Sequence, residues 1–194
     1  MDAKSYFDSR ADGYDRERNA GPISMLVSKE KKIVMSILDP RKDEDILDAG
    51  CGSGYYSLLV KEAGAHPFGV DFSEKMVEEL KKKGIPGQVA NLETLSLEKK
   101  FDKVVCGGAL EFTQQPEKAL QAMSRHLKPG GKLVLVYPRK SLAGHVYRLF
   151  HRTHGVRIHL FTREGLNKRL EKAGMREIKT IRSDPITNVV LATK

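Results

Sequence analysis

The stretch Ile46-Leu47-Asp48-Ala49-Gly50-Cys51-Gly52-Ser53-Gly54-Tyr55 decides the fold of this 194-residue chain. Ile46, Leu47 and Ala49 form a short apolar run, read as a buried strand. It ends in three glycines on alternate positions, Gly50, Gly52 and Gly54. An amphipathic run from Tyr55 to Glu62 follows at once, with Ser53 as its expected cap. Strand, glycine turn and helix start are the parts of a nucleotide-type site in an open parallel sheet. Glycines there let the backbone turn sharply and let a ligand approach main-chain atoms that a Cβ would shield.

Spacing narrows the site. A dinucleotide fingerprint, G-x-G-x-x-G, needs its third glycine at position 55, which is Tyr55. A nicotinamide-linked dehydrogenase fails on that count. The pattern runs instead as D-x-G-x-G-x-G from Asp48 to Gly54. Downstream, His66 to Val70 reads as a second strand ending in Asp71, at the distance where a carboxylate meets a ribose. Capping the next helix is the other use for Asp71, although Ser73 is better placed, with Met76, Val77 and Leu80 as that helix's apolar face. Gly87 to Ala90 is a short third strand, followed by Asn91 and Leu92. Phe101 to Cys106 is a fourth, followed by Gly107-Gly108-Ala109-Leu110-Glu111-Phe112 and a helix opened by Pro116. Leu127-Lys128-Pro129-Gly130-Gly131 reads as a tight reversal into a fifth strand. Two terminal strands, Glu177 to Arg182 and Asn188 to Thr193, complete the set.

This ordered set resembles the class I S-adenosylmethionine (SAM)-dependent methyltransferases, in particular their small-molecule, quinone- and lipid-modifying members. The resemblance covers nearly the whole chain. It implies one α/β, doubly wound Rossmann-like domain. The sheet would be mostly parallel and seven-stranded, with an antiparallel C-terminal hairpin strand and helices on both faces. Residues 1–40 would be an N-terminal cap and helix belonging to that domain, and 41–194 the SAM-binding core with a basic lid at about 138–161. The resemblance places Gly50, Cys51, Gly52 and Gly54 at the amino-acid part of SAM and gives Asp48, also counted with the cofactor site, the ordering of that loop. It places Asp71 at the ribose, Phe72, Asn91 and Leu92 around the adenine, and Gly107 beside the sulfonium. Asn91 stands where an aspartate is commoner. Tyr14 either touches the cofactor or anchors the N-terminal arm. Neither D/N-P-P-Y/F nor a Pro-Cys pair is present, which counts against adenine-N6, glutamine and 5-methylcytosine acceptors. The residues nominated for acid/base work are Glu111, Tyr137, His145 and His151, each of which also reads as an ordinary surface residue.

Composition adds partners rather than fold. Apolar residues make up 40% and charged residues 30% of the chain, ordinary values for a globular protein. No apolar h-region opens the chain and no run approaches a membrane span, so a cytoplasmic location is expected. Cys51 and Cys106 read as small buried thiols, and no metal-ligand spacing appears. The net charge of +9 is uneven: residues 139–172 hold nine Lys/Arg against two Glu, and four of the six histidines. With Val146, Leu149 and Phe150 as an apolar stripe, that segment suits an anionic membrane surface or an acidic substrate. It equally suits a solvated lid helix. The expected acceptor is a small molecule or lipid. An RNA-directed methyltransferase or a SAM-binding module using the basic segment is the other reading. The motifs define the cofactor and leave the acceptor atom and oligomeric state open.

Overall fold

Strand β1 (Asp45–Ala49) runs through the middle of a seven-stranded sheet of order β3-β2-β1-β4-β5-β7-β6. The computed structural model describes residues 3–13 and 23–194. Strands β2 (His66–Asp71), β3 (Gly87–Val89), β4 (Phe101–Gly107) and β5 (Leu127–Pro138) run parallel to β1. The order reverses between β1 and β4, so the turns after these two strands open a crevice at their carboxyl ends. Strand β7 (Thr187–Thr193) lies antiparallel between β5 and β6 (Arg176–Arg182). The central strands are covered on both faces, so they read as continuous apolar runs rather than alternating ones.

Helices α2 (Ile23–Leu38) and α3 (Tyr55–Glu62) cover one face. Val34, Leu38, Tyr56 and Val60 pack there on Ile46, Val105, Val134 and Val189. Helices α5 (Pro116–Arg125) and α7 (Arg163–Lys172) cover the other, with Leu120, Met123, Leu166 and Leu170 against Leu47, Val104 and Leu135. The remaining helices are α1 (Ala3–Asp8), α4 (Glu74–Lys82) and α6 (Leu142–Thr153). Caps fall where local chemistry demands: Ser73 Oγ accepts from Met76 N, and Thr162 Oγ1 from Gly165 N. Helix α2 stops at Asp39, which takes a φ of 43° ahead of Pro40. Tyr14 lies outside the described residues.

Two local expectations need correction. The N-cap of α3 is Gly54, with φ 93° and no side chain to offer, rather than Ser53. Asp48 takes over the task from behind, its Oδ2 accepting from both Ser57 N and Ser57 Oγ at 2.9 and 2.7 Å. The Leu127–Gly131 stretch is not a separate reversal ahead of β5. It belongs to β5, where a bulge opposite Phe101–Lys103 absorbs the extra residues.

The 138–161 segment is a closed excursion. The chain leaves the sheet at Pro138 and returns at Phe161, with Phe161 N donating to Pro138 O and Lys140 N to Phe161 O. Helix α6 lies inside that excursion. No described helix is long and apolar enough to cross a membrane.

Asp48 is 2% exposed. Replacing it by Ala orphans the buried Ser57 donors and is expected to cost about 1–3 kcal/mol, measured as a lower urea midpoint with an unchanged m-value.

Candidate active site

The turn after β1 is fastened to the end of β2 by main-chain groups. Gly50 N and Cys51 N both donate to Val70 O, at 2.8 and 3.0 Å. Gly52 N donates to Asp71 Oδ2 and Ser73 N to Asp71 Oδ1, each at 2.9 Å. Burial raises the Asp71 pKa, and backbone N–H groups of Ser73, Gly52 and Phe72 pull it back toward the ionised form. Gly50 has φ 76°, and a Cβ there would stand 2.1 Å from Ala109 Cβ. The turns after β1 and β4 touch at that point, and no other residue type fits it.

Two connected hollows meet at this crossing. One is lined by Asp71, Phe72, Asn91, Leu92, Ala109 and Phe112. The other is lined by Gly50, Cys51, Gly52, Tyr56, Gly107 and Gly108. Gly50, Asp71, Phe72, Ala109 and Phe112 border both. The first has an apolar floor with amide and carboxylate edges, which suits a nucleoside. The second is walled by backbone at a glycine turn, which suits a small amino-acid group. Helix α1 lies across them. Phe7 packs edge-on against Phe72 and Phe112, with centroids 6.1 and 5.0 Å away. Ser73 Oγ donates to Asp8, and Lys4 pairs with Asp8 at 3.0 Å.

The far side of β4 is more acidic. A Cβ on Gly107 would fall 2.2 Å from the Tyr56 ring, so that ring walls the strand end. Tyr56 Oη donates to Glu30 Oε1 at 2.9 Å, and Glu30 Oε2 accepts from Thr187 Oγ1 at 3.3 Å. Glu111 follows in the 3-10 turn Leu110–Phe112. It is 3% exposed, and its Oε2 has no hydrogen-bond partner. Burial, with a smaller push from Glu30, raises its pKa to about 8. Helix α6 closes this end: His151 meets Phe112, Tyr6 and Tyr147 edge-on. Burial, helped by the charges of His154 and Arg10, lowers the His151 pKa to about 4.

The residues expected at the site from sequence divide clearly. Gly50, Cys51, Gly52, Asp71, Phe72, Asn91, Leu92 and Gly107 line the cleft. Asp48 and Gly54 stand behind it, ordering the turn. Asn91 Oδ1 already accepts from Glu93 N at 2.9 Å, so only its second lone pair is free for a ligand. Tyr137 is withdrawn from candidacy: it is fully buried within β5 and accepts from Asn188 Nδ2. His145 lies on the flank of α6 and lines neither hollow. Both thiols are buried with raised pKa values, so neither is a nucleophile. No cluster of metal-ligating side chains occurs among the described residues. Phe7, Tyr56, Ala109 and Phe112 were missed from sequence. The signal for Phe7 and Phe112 was an aromatic within otherwise polar or glycine-rich stretches.

The Methyltransferase domain family matches residues 18–179. A ubiquinone biosynthesis O-methyltransferase of Coxiella burnetii is 29% identical over 115 residues, 56% of this chain and 49% of that protein. Its counterpart in Xanthomonas oryzae is 34% identical over 98 residues, 46% of this chain and 41% of that one. The chain spans about half the length of the curated relatives it matches. Among solved structures, a Haloferax volcanii methyltransferase in complex with the activator Trm112 superposes with a TM-score of 0.80 at 18% identity, covering 100% and 98% of the two chains. Magnesium protoporphyrin IX methyltransferase from Synechocystis with bound SAH gives 0.76 at 21%, covering 98% and 97%. A fold shared over the full chain, a family match over most of it, and a glycine turn facing a ribose-type carboxylate agree. This chain belongs to the class I SAM-dependent methyltransferases.

Proposed function

We propose that this chain transfers the methyl group of SAM to an oxygen, nitrogen or carbon atom of a small, lipid- or quinone-like acceptor. The observation that carries the reading is the apolar surface of Phe7, Ala109 and Phe112 at the end of β4, where the hollow that suits the cofactor's amino-acid group reaches Gly107 and the Tyr56 ring. Such walls suit a ring or isoprenoid-like acceptor and exclude water. The ubiquinone biosynthesis O-methyltransferases among its relatives support the same class.

SAM supplies an activated methyl on a positive sulfur, so the protein's task is chiefly alignment. Asp71 would hold the ribose hydroxyls, the backbone of 50–52 would meet the amino-acid end, and Phe72, Asn91 and Leu92 would flank the adenine. Glu111 stands behind the cleft wall at Gly108 and lines neither hollow; its side chain has to turn past Gly108 to take the proton of an O–H or N–H acceptor as the new bond forms. Its unpartnered Oε2 is the basic atom, and a pKa near 8 matches such a task at neutral pH. His151, neutral above pH 4, packs the acceptor end without charging it.

Asp71→Ala is expected to weaken SAH binding at least about tenfold through the lost charge-assisted bonds, read by calorimetry, with the far-UV spectrum unchanged. Glu111→Gln is expected to lower kcat about 10²–10⁴-fold while leaving SAH affinity alone. Because the folded carboxyl binds its proton more tightly than the unfolded one, its stabilisation is full below pH 4.5. It is lost as pH rises through about 8, by up to about 1.4 kcal/mol per pH unit. Wild-type kcat therefore rises over the interval in which thermal stability falls, and Glu111→Gln flattens both profiles. The acceptor class is tested with methyl-labelled SAM and a cell extract. Label in the organic or small aqueous fraction supports the reading, and label confined to RNA or protein refutes it.

A further inference from the structure

Helix α6 faces the wrong way for a helix on a water-facing surface. At roughly 100° per residue, Leu142, Val146, Leu149 and Phe150 fall in one stripe. They are 85, 63, 60 and 50% exposed. Gly144, Tyr147 and His151 occupy the opposite face and pack inward. The seat is fixed. Ser141 Oγ caps Gly144 N at 3.1 Å, and a Cβ on Gly144 would stand 2.0 Å from Arg139 O. His151 is held among Tyr6, Phe112 and Tyr147. The helix cannot roll its stripe inward without breaking these contacts. Single exposed apolar residues are ordinary, but four on adjacent turns form a patch that marks an interaction surface.

Charge selects the partner. Residues 139–163 contain six Lys/Arg and no Asp or Glu. Exposed Arg148 and Arg152 flank the stripe with His145, Lys140 precedes the helix, and Arg157 follows it. We propose that the outward face of α6 docks the protein on an anionic phospholipid bilayer, with the helix in the interfacial plane. The apolar stripe enters the acyl boundary while the guanidinium groups meet headgroup phosphates. Nucleic acid fits less well, since phosphate neutralisation uses the basic residues and gains nothing from Leu142, Val146 or Leu149. The docking does not depend on the acceptor reading. If both hold, a membrane-dissolved acceptor arrives one helix diameter, about 10 Å, from Phe112 and the cleft.

The test is flotation of the full chain with phosphatidylcholine vesicles and with mixed phosphatidylcholine–phosphatidylglycerol vesicles. Binding to the mixed vesicles is expected to be at least about tenfold tighter and to be released by high salt. The triple variant Leu142→Gln, Val146→Gln and Leu149→Gln alters only exposed side chains. It is expected to lose about tenfold or more of that binding while keeping the wild-type far-UV spectrum and SAH affinity. Arg148→Gln with Arg152→Gln is expected to abolish the preference for anionic vesicles. The proposal is overturned by absence of binding to mixed vesicles at low salt, or by equal binding of the triple variant and wild type. It is also overturned if mixed-sequence RNA binds tighter than the vesicles and the triple variant binds it unchanged, since the surface is then a nucleic-acid one.

Discussion

The buried carboxylate of Asp48 sets the geometry from which the cleft is built. Taking a carboxylate out of water costs several kcal/mol, and two hydrogen bonds from Ser57 offset that cost only in one arrangement of strand, turn and helix. The arrangement makes Gly54 the cap position and brings Gly50 and Cys51 under Val70 O. Gly52 is thereby presented to Asp71. Ala109, from the turn after β4, then fits into the space that a Cβ on Gly50 would occupy. Three strand ends are thus registered on one another through backbone bonds and one steric contact.

Much of this was legible because the signals are local. Alternate glycines after a short apolar run, an acidic residue ending the next strand, and Ser73 as a cap all act within a few residues of themselves. The failures came where a distant element decides. Ser53 looked like a cap, but Asp48 serves that turn through nine residues of chain. The Leu127–Gly131 stretch carries turn chemistry, yet pairing with β4 holds it inside a strand as a bulge. Tyr137 stood past the core of its apolar run, but β5 is flanked by β4 and β7, and the ring is enclosed. The stripe on α6 was visible as spacing. Its outward direction was not, because Gly144 against Arg139 and His151 against Phe112 fix the roll of the helix. Glu30 gave no signal at all: it reaches the site from 26 residues before Tyr56.

Charge in this molecule is segregated. The chain is strongly basic overall, yet apart from Lys4, which is paired with Asp8, the charged groups named around the cleft are acidic: Asp48, Asp71, Glu111 and Glu30. A cationic sulfonium is favoured by such surroundings, and low polarity magnifies the effect. Keeping Glu111 protonated below about pH 8 limits the repulsion among these carboxyls. The basic residues concentrate instead on the excursion from Pro138 to Phe161 and on α7, where they face outward. Cofactor and surroundings are therefore addressed by opposite electrostatics on one small domain.

The placement of β7 has a consequence for how the chain comes to be folded. Residues 187–193 sit between β5 and β6, pairing with residues 132–138 that lie 49 to 61 positions earlier. Closing so long a loop precedes any reward from contact, so this pairing belongs to the slow part of folding. Until it forms, β5 has an unpaired edge along Lys132–Pro138 that includes the apolar Leu133, Val134, Leu135 and Val136. That edge is a template for strand addition from another chain. A chain in which β7 has not yet paired therefore carries an adhesive edge in the middle of its sheet.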